Sequence, residues 1–215
     1  MNQQEIQNLR QDYQASSLSE KDVEKDPIKQ FEKWFNEALT AQIHEPNAMT
    51  LATATHDGRP SARVVLLKGF DQNGFKFYTN YLSRKGKEIA KNPLAAITFW
   101  WGPLERQIRI EGTLEKVSRE DSESYFHSRP KLSQIGAIAS AQSQELTDRA
   151  VLESKMEQLQ QQYAENEVPK PSYWGGYILK PQMFEFWQGR RSRLHDRIVF
   201  KKADKNTWKI VRLAP

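Results

Sequence analysis

At 215 residues, with six Trp, seven Tyr, ten Phe and no Cys, the chain is long enough for one well-filled core and excludes disulfides, thiolate nucleophiles, iron–sulfur clusters and cysteine zinc sites. Its 32 basic and 27 acidic residues leave a net charge of +5, and a pI of about 9.3 formally meets the footprint of a nucleic-acid binder. The basic residues alternate with acids, however, as in EKDVEKD and LEKVSRED, which reads as a solvated face; the four His are scattered without HExxH or paired spacing, so no metal and no nucleic acid is expected.

The opening MNQQEIQNLR lacks a basic region followed by an apolar one, and nowhere does an apolar run approach the ~18 residues of a membrane span. A cytoplasmic protein without membrane attachment is expected. Residues 1–26 are polar and read as a mobile arm opening with a short helix, Gln3–Tyr13. Asp26 and Pro27 then supply an N-cap and a first-turn proline, and Ile28, Phe31, Trp34, Phe35, Ala38 and Leu39 recur at helical spacing to about Ile43.

From Ala48 to Val117 the period shifts towards two, in AMTLATAT, SARVVLLKGF, GFKFYTN, LAAITFWW and RQIRIEGTLEKV. The turns DGRP and DQNG separate the first three runs, which predicts an antiparallel meander. Ser83 caps a short helix that Pro93 ends. Residues 118–163 read as a helical insertion: REDSESYFHS stops at Pro130, KLSQIGAIAS follows, and Thr147 caps a long helix. PKPSYWGG reads as a loop, and three more strands, YILKP with MFEFWQ, RLHDRIVFKKA and TWKIVRLAP, finish the chain. Strands, helices and strands again predict a mainly β fold of the α+β class, an antiparallel barrel with helices packed outside, in a single domain over 27–215. No GxGxxG after a strand, Walker A loop or GxSxG elbow is present.

Three clusters carry chemistry. On a strand, Arg193, His195 and Arg197 would share one face, either meeting an anionic or electron-rich group or simply facing water on an edge. Arg63 and Lys68 bracket the apolar run Val64, Val65, Leu66 and Leu67, and strict alternation puts the two cations on opposite faces unless the strand is bulged. Nearby, Arg84 and Lys85 fall in a first helical turn, where free N–H groups and the helix dipole favour a phosphate; a merely solvated basic turn reads equally well. Tyr125, Arg129 and Ser133 are spaced i, i+4, i+8 across Pro130, either a second phosphate cradle or cap and surface residues.

RVVLLK, FYTN, SRKG, LERQ, YFHSRP, SQIGA, LESK, VPKPSYWGG, EFWQG, RLHDR and the terminal WKIVRLAP, in this order, resemble the pyridoxine/pyridoxamine 5′-phosphate oxidase family from LRQDY to the last residue. The resemblance implies a homodimeric FMN-binding split barrel that oxidises pyridoxine 5′-phosphate and pyridoxamine 5′-phosphate to pyridoxal 5′-phosphate, with O2 reduced to H2O2. It implies an FMN site drawn from Arg63, Val64, Val65, Leu66, Leu67, Lys68, Tyr78, Thr79, Arg84, Lys85, Gln107, Gln142, Ser143, Trp187 and Arg197. Lys68, Tyr125, Arg129 and Ser133 would hold the substrate phosphate, and Arg193 and His195, the catalytic pair, would lie over the pyridine ring. Arg10 and Tyr13 match family residues that close over the substrate. Glu45 stands where relatives often carry Asp, and Arg190, Arg191 and Ser192 receive no role.

Overall fold

The computed structural model describes residues 2–9, 12–204 and 207–215. Arg10, one of the expected substrate residues, lies outside them. The strands are β1 Ala48–Ala54, β2 Pro60–Leu66, β3 Gly69–Asp71, β4 Gly74–Asn80, β5 Leu94–Trp101, β6 Arg106–Lys116, β7 Trp174–Gln188, β8 Asp196–Lys202 and β9 Trp208–Arg212. The helices are α1 Gln3–Gln7, α2 Pro27–Thr40, α3 Arg84–Lys91, α4 Arg119–Ser128, α5 Lys131–Ala139 and α6 Arg149–Gln162. Neighbours follow the order β2-β1-β5-β6-β7-β4-β3, with β8 on β7 and β9 on β8. The β3–β4, β4–β7, β7–β8 and β8–β9 pairs are antiparallel, as the α+β reading requires. Among the described residues no helix is long and apolar enough to cross a membrane.

Contacts divide the chain into two compact units. The first comprises residues 1–49, 97–111 and 181–215. Its helix α2 begins as the sequence dictates, with the Asp26 carboxylate accepting from the Ile28 N–H at 2.8 Å and Pro27 in the first turn. The helix buries Phe31, Trp34 and Ala38; Trp34 meets Phe186 edge-on at 5.3 Å, and Phe31 lies 5.2 Å from Phe99. Removing each such ring from water stabilises by about 1.5–3 kcal/mol. Arg106 lies over the Trp34 ring at 4.4 Å and pairs with Glu37, so the charge is retained where its stem is buried.

The second unit comprises residues 50–96 and 112–180. Within it β4 pairs with the first half of β7, from Phe75 opposite Leu179 to Asn80 opposite Trp174. The turn before β4 needs Gly74: its φ is +138°, and a Cβ there would sit 2.0 Å from the Leu179 carbonyl oxygen. Helices α4 to α6 follow β6 and enclose a cluster of Phe126, Ile135, Val168 and Trp174.

Several boundaries differ from the sequence reading. The run SARVVLLKGF is two strands, because the strand is interrupted at Leu67 and Lys68 between β2 and β3. The last long helix is capped by Asp148, whose carboxylate accepts from the Ala150 N–H at 2.9 Å, and not by Thr147. YILKP with MFEFWQ is one strand, β7, as the sequence suggests, but it starts at Trp174 inside the expected loop. The strand expected from Arg193 begins only at Asp196; Arg191–Arg193 form a 3-10 turn in which Ser192 (φ 55°) and Arg193 (φ 61°) are left-handed.

Candidate functional site

In the second unit, a cleft of about 690 Å³ gathers the residues of two sequence clusters. Arg63, Val64, Val65, Leu66, Lys68, Tyr78, Thr79, Lys85 and Gln142 line it, and so do Tyr125, Arg129 and Ser133. The break after β2 is what lets Arg63 and Lys68 serve one cavity, since a continuous strand would have pointed them apart.

Arg63 is fixed by Leu51 O (3.2 Å), the Thr53 hydroxyl (2.6 Å) and the Ser61 hydroxyl (2.5 Å), with the Glu88 carboxylate at 3.4 Å. Lys85 stands in the first turn of α3, capped by Ser83, and its Nζ donates to Gln142 Oε1 at 2.9 Å and Thr79 Oγ1 at 3.2 Å. Burial, and then the Arg63 charge, pull the Lys85 ammonium below the ordinary lysine range, the state expected of crowded cations before an anion joins them.

On the other wall, α4 ends at Arg129 and α5 starts after Pro130, so the i, i+4, i+8 spacing crosses a joint. Gln134 fixes that joint by donating to Arg129 O at 2.8 Å and His127 O at 3.3 Å. The Arg129 guanidinium lies 4.8 Å over the Trp174 ring, and Tyr125 stacks on Tyr78 at 3.8 Å. Arg129 Nη2 donates to Ser133 O at 2.8 Å, whereas Nη1 is buried with no hydrogen-bond partner among the described residues. Burial lowers the guanidinium's pKa, and a buried orphan donor costs about 1–3 kcal/mol, which an anionic ligand would recover.

Glu88, which the sequence reading missed, ties this wall together. It is 5% exposed and accepts from Thr53 (2.5 Å), Ser61 (2.6 Å) and Arg84 Nε (2.9 Å). Burial opposes its ionisation, but the Ser61, Thr53 and Arg84 hydrogen bonds and the Arg63 charge outweigh it, lowering the pKa from 4.5 to about 2. The folded pKa lies below the unfolded one, so the stabilisation is complete above pH 4.5 and is lost as pH falls towards 2. Glu88→Gln is therefore expected to flatten the fall of the urea midpoint between those values; wild type and variant losing stability in parallel would refute this.

The other expected cofactor residues fall elsewhere. Arg84 and Ser143 line a separate cleft of about 540 Å³ with His56, Lys87 and Lys91. Leu67 is buried, Gln107 is half-buried in β6, and neither lines any of the clefts described here. Arg197 is held by Glu185 (Nε at 2.8 Å, Nη2 at 3.1 Å) and donates to Ala214 O at 2.9 Å. The same carboxylate takes Arg109 at 2.6 Å, another pair the sequence reading did not see.

In the first unit, a cleft of about 670 Å³ holds Tyr13, Trp100, Trp187, Arg193 and His195. A shared strand face does not bring Arg193 and His195 together, as the sequence suggested; the left-handed turn does. The His195 ring lies 4.6 Å from Trp187 and 5.7 Å from Tyr13. Its Nδ1 accepts from the Arg190 N–H at 3.1 Å, so the proton of the neutral ring is on Nε2. Burial, and then Arg193, lower its pKa against the opposing pull of Asp196, so at pH 7 the ring is neutral and presents an N–H donor. Trp100, 52% exposed, completes an aromatic wall that periodicity had assigned only to a strand.

Residues 35–163 match the family model described as pyridoxamine 5′-phosphate oxidase, and residues 174–215 match the pyridoxine 5′-phosphate oxidase C-terminal dimerisation region. The chain is 54% identical over 210 residues to the pyridoxine/pyridoxamine 5′-phosphate oxidase of Trichormus variabilis, covering 98% of each. It is 55% identical over 211 residues to the protein of that name from Cupriavidus necator, covering 98% of this chain and 99% of that one. Among solved structures it is similar to PhzG from Burkholderia lata in complex with tetrahydrophenazine-1-carboxylic acid, with a TM-score of 0.87, 32% identity, and coverage of 94% of this chain and 99% of that one. A pyridoxamine 5′-phosphate oxidase-related, FMN-binding protein from Nostoc punctiforme shares the fold, with a TM-score of 0.68 at 17% identity over 86% of this chain and 97% of that one.

Proposed function

This chain belongs to the pyridoxine/pyridoxamine 5′-phosphate oxidase family, and we propose that it uses FMN to oxidise pyridoxine 5′-phosphate and pyridoxamine 5′-phosphate to pyridoxal 5′-phosphate in the cytoplasm, with O2 reduced to H2O2. The observation that carries this reading is the convergence of two cation clusters in one cleft, Arg63, Lys68 and Lys85 on one side and Arg129 on the other. Two phosphorylated ligands account for both. The buried Arg129 Nη1, without a hydrogen-bond partner among the described residues, and the lowered Lys85 pKa suit a site shaped for anions.

Bound FMN would supply the two-electron acceptor. Arg63 and Lys85 hold its phosphate, while Thr79 and Gln142 fix the Lys85 ammonium in place. Lys68, Tyr125, Arg129 and Ser133 take the substrate phosphate, the guanidinium carbon held over the Trp174 ring. Arg193 and His195 serve the pyridine end, where the His195 Nε2–H donates to the ring oxygen and orients the carbon to be oxidised. In this role His195 positions and does not accept a proton. The dimerisation-region match supports a homodimer, with FMN at the subunit interface.

The purified protein is expected to show a flavin spectrum, to release FMN on acid treatment, and to produce H2O2 with pyridoxamine 5′-phosphate. A colourless protein that gains no visible absorbance on addition of FMN would end this reading.

A further inference from the structure

Arg193 and His195 are carried by residues 189–196, where the backbone takes a conformation that Ser192 and Arg193 do not favour. Ser192 (φ 55°, ψ 22°) and Arg193 (φ 61°) are consecutive left-handed residues, and neither is glycine. Two internal hydrogen bonds close the turn: Leu194 N–H to Arg191 O at 3.1 Å and Arg190 N–H to His195 Nδ1 at 3.1 Å. A third comes from far away in sequence. Asp12 Oδ1, in the N-terminal arm, accepts from the Ser192 N–H at 3.2 Å, at the residue where the backbone turns left-handed. Its other oxygen lies 4.0 Å from Arg191 Nε, and Gln14 accepts from the same guanidinium.

The arm reaches the turn because Gly189 leaves room for it; a Cβ there would come within 2.7 Å of Tyr13 Cγ. Tyr13 then packs edge-on against Trp187 at 5.7 Å, and the Leu18 N–H reaches Asp196 at 3.0 Å where the turn ends.

The geometry points to Asp12 as a positioning residue for the oxidation: by accepting from the Ser192 amide it holds the left-handed turn that sets Arg193 and His195 in their cleft. This assignment rests on the function proposed above for those two residues. It gives Arg191 and Ser192, which had no role, a place in the site. It also makes the arm part of the catalytic frame as well as a cover.

The test is a mutant cycle in the full-length, FMN-loaded protein. Asp12→Ala is expected to lower kcat/KM about tenfold with FMN affinity unchanged, whereas Asp12→Asn, which keeps the acceptor oxygen, stays within about threefold of wild type. Ser192→Gly takes the left-handed conformation without help, so in that background Asp12→Ala should cost no more than about twofold. An equal loss with and without Ser192→Gly would show that Asp12 only tethers the arm, and no loss at all would also overturn the assignment.

A second measurement needs no substrate. His195, faced by Arg193, Asp196, Tyr13 and the Arg190 amide, is expected to titrate by NMR below the ordinary histidine range in wild type. Asp12→Ala should move that titration towards the ordinary value, and Ser192→Gly should restore it; an unmoved titration counts against the assignment. If wild type lacks oxidase activity while the titration follows this pattern, the proposed function falls and the coupling of Asp12 to the turn stands.

Discussion

Replacing Arg129 with Ala is expected to raise KM for either phosphorylated substrate about ten- to a hundredfold while FMN stays bound. A charge-assisted hydrogen bond is worth about 1.5–3 kcal/mol, and each 1.4 kcal/mol is tenfold in binding. Arg129 offers more than charge, because its Cζ lies 4.8 Å from the Trp174 ring centroid and one edge is already fixed on Ser133 O. Arg129→Lys should therefore recover only part of the loss, since an ammonium neither stacks nor forks. Steady-state kinetics and flavin titration on the same preparations decide it. Flavin loss with substrate affinity intact would exchange the roles of the two cation clusters.

Gly86→Ala is expected to destabilise the protein by about 3 kcal/mol and to weaken FMN binding with it. A Cβ at this buried position would stand 2.2 Å from Tyr81 O and 2.5 Å from Tyr81 C, and both are backbone atoms that cannot rotate away. Relief requires α3 to move. The Gly86 N–H that Ser83 Oγ caps at 3.3 Å and the adjacent Lys85, with its contacts to Gln142 and Thr79, move together. Urea denaturation and FMN titration test both effects; an unchanged midpoint would show that the helix adjusts freely.

The features legible in the sequence are those with a local chemical signature. Asp26-Pro27 announces α2, Ser83 announces α3, and Pro130 divides α4 from α5, because capping and proline act within one helical turn. Where two capping residues adjoin, as Thr147 and Asp148 do, composition does not choose between them. The break at Leu67 and Lys68 falls inside the apolar run, and the only local marker, Gly69, already belongs to the next strand, so the run looked like one strand. The left-handed Ser192 and Arg193 are stabilised by Asp12, 180 residues away in sequence, and no local pattern encodes such a contact. Arg63, Lys68, Lys85, Tyr125, Arg129 and Ser133 stand out in the sequence as clusters of cations and hydroxyls, and the fold gathers them round one cleft. Glu88 was missed although its i, i+4 relation to Arg84 was visible, since most such pairs are only surface ornament to a helix.

The first unit is assembled from the beginning, middle and end of the chain, whereas all of the second lies before residue 181. On a ribosome, where domains tend to form in the order they emerge, residues 50–180 therefore have all their own partners before the first unit can close. Until residues 181–215 are synthesised, Trp34 presents an apolar ring whose partner Phe186 does not yet exist, and Tyr13 has no Trp187 to pack against. The nascent chain thus carries a sticky amphipathic helix through most of its translation, the state in which a holdase chaperone would bind it. Release comes only with the last stretch of polypeptide.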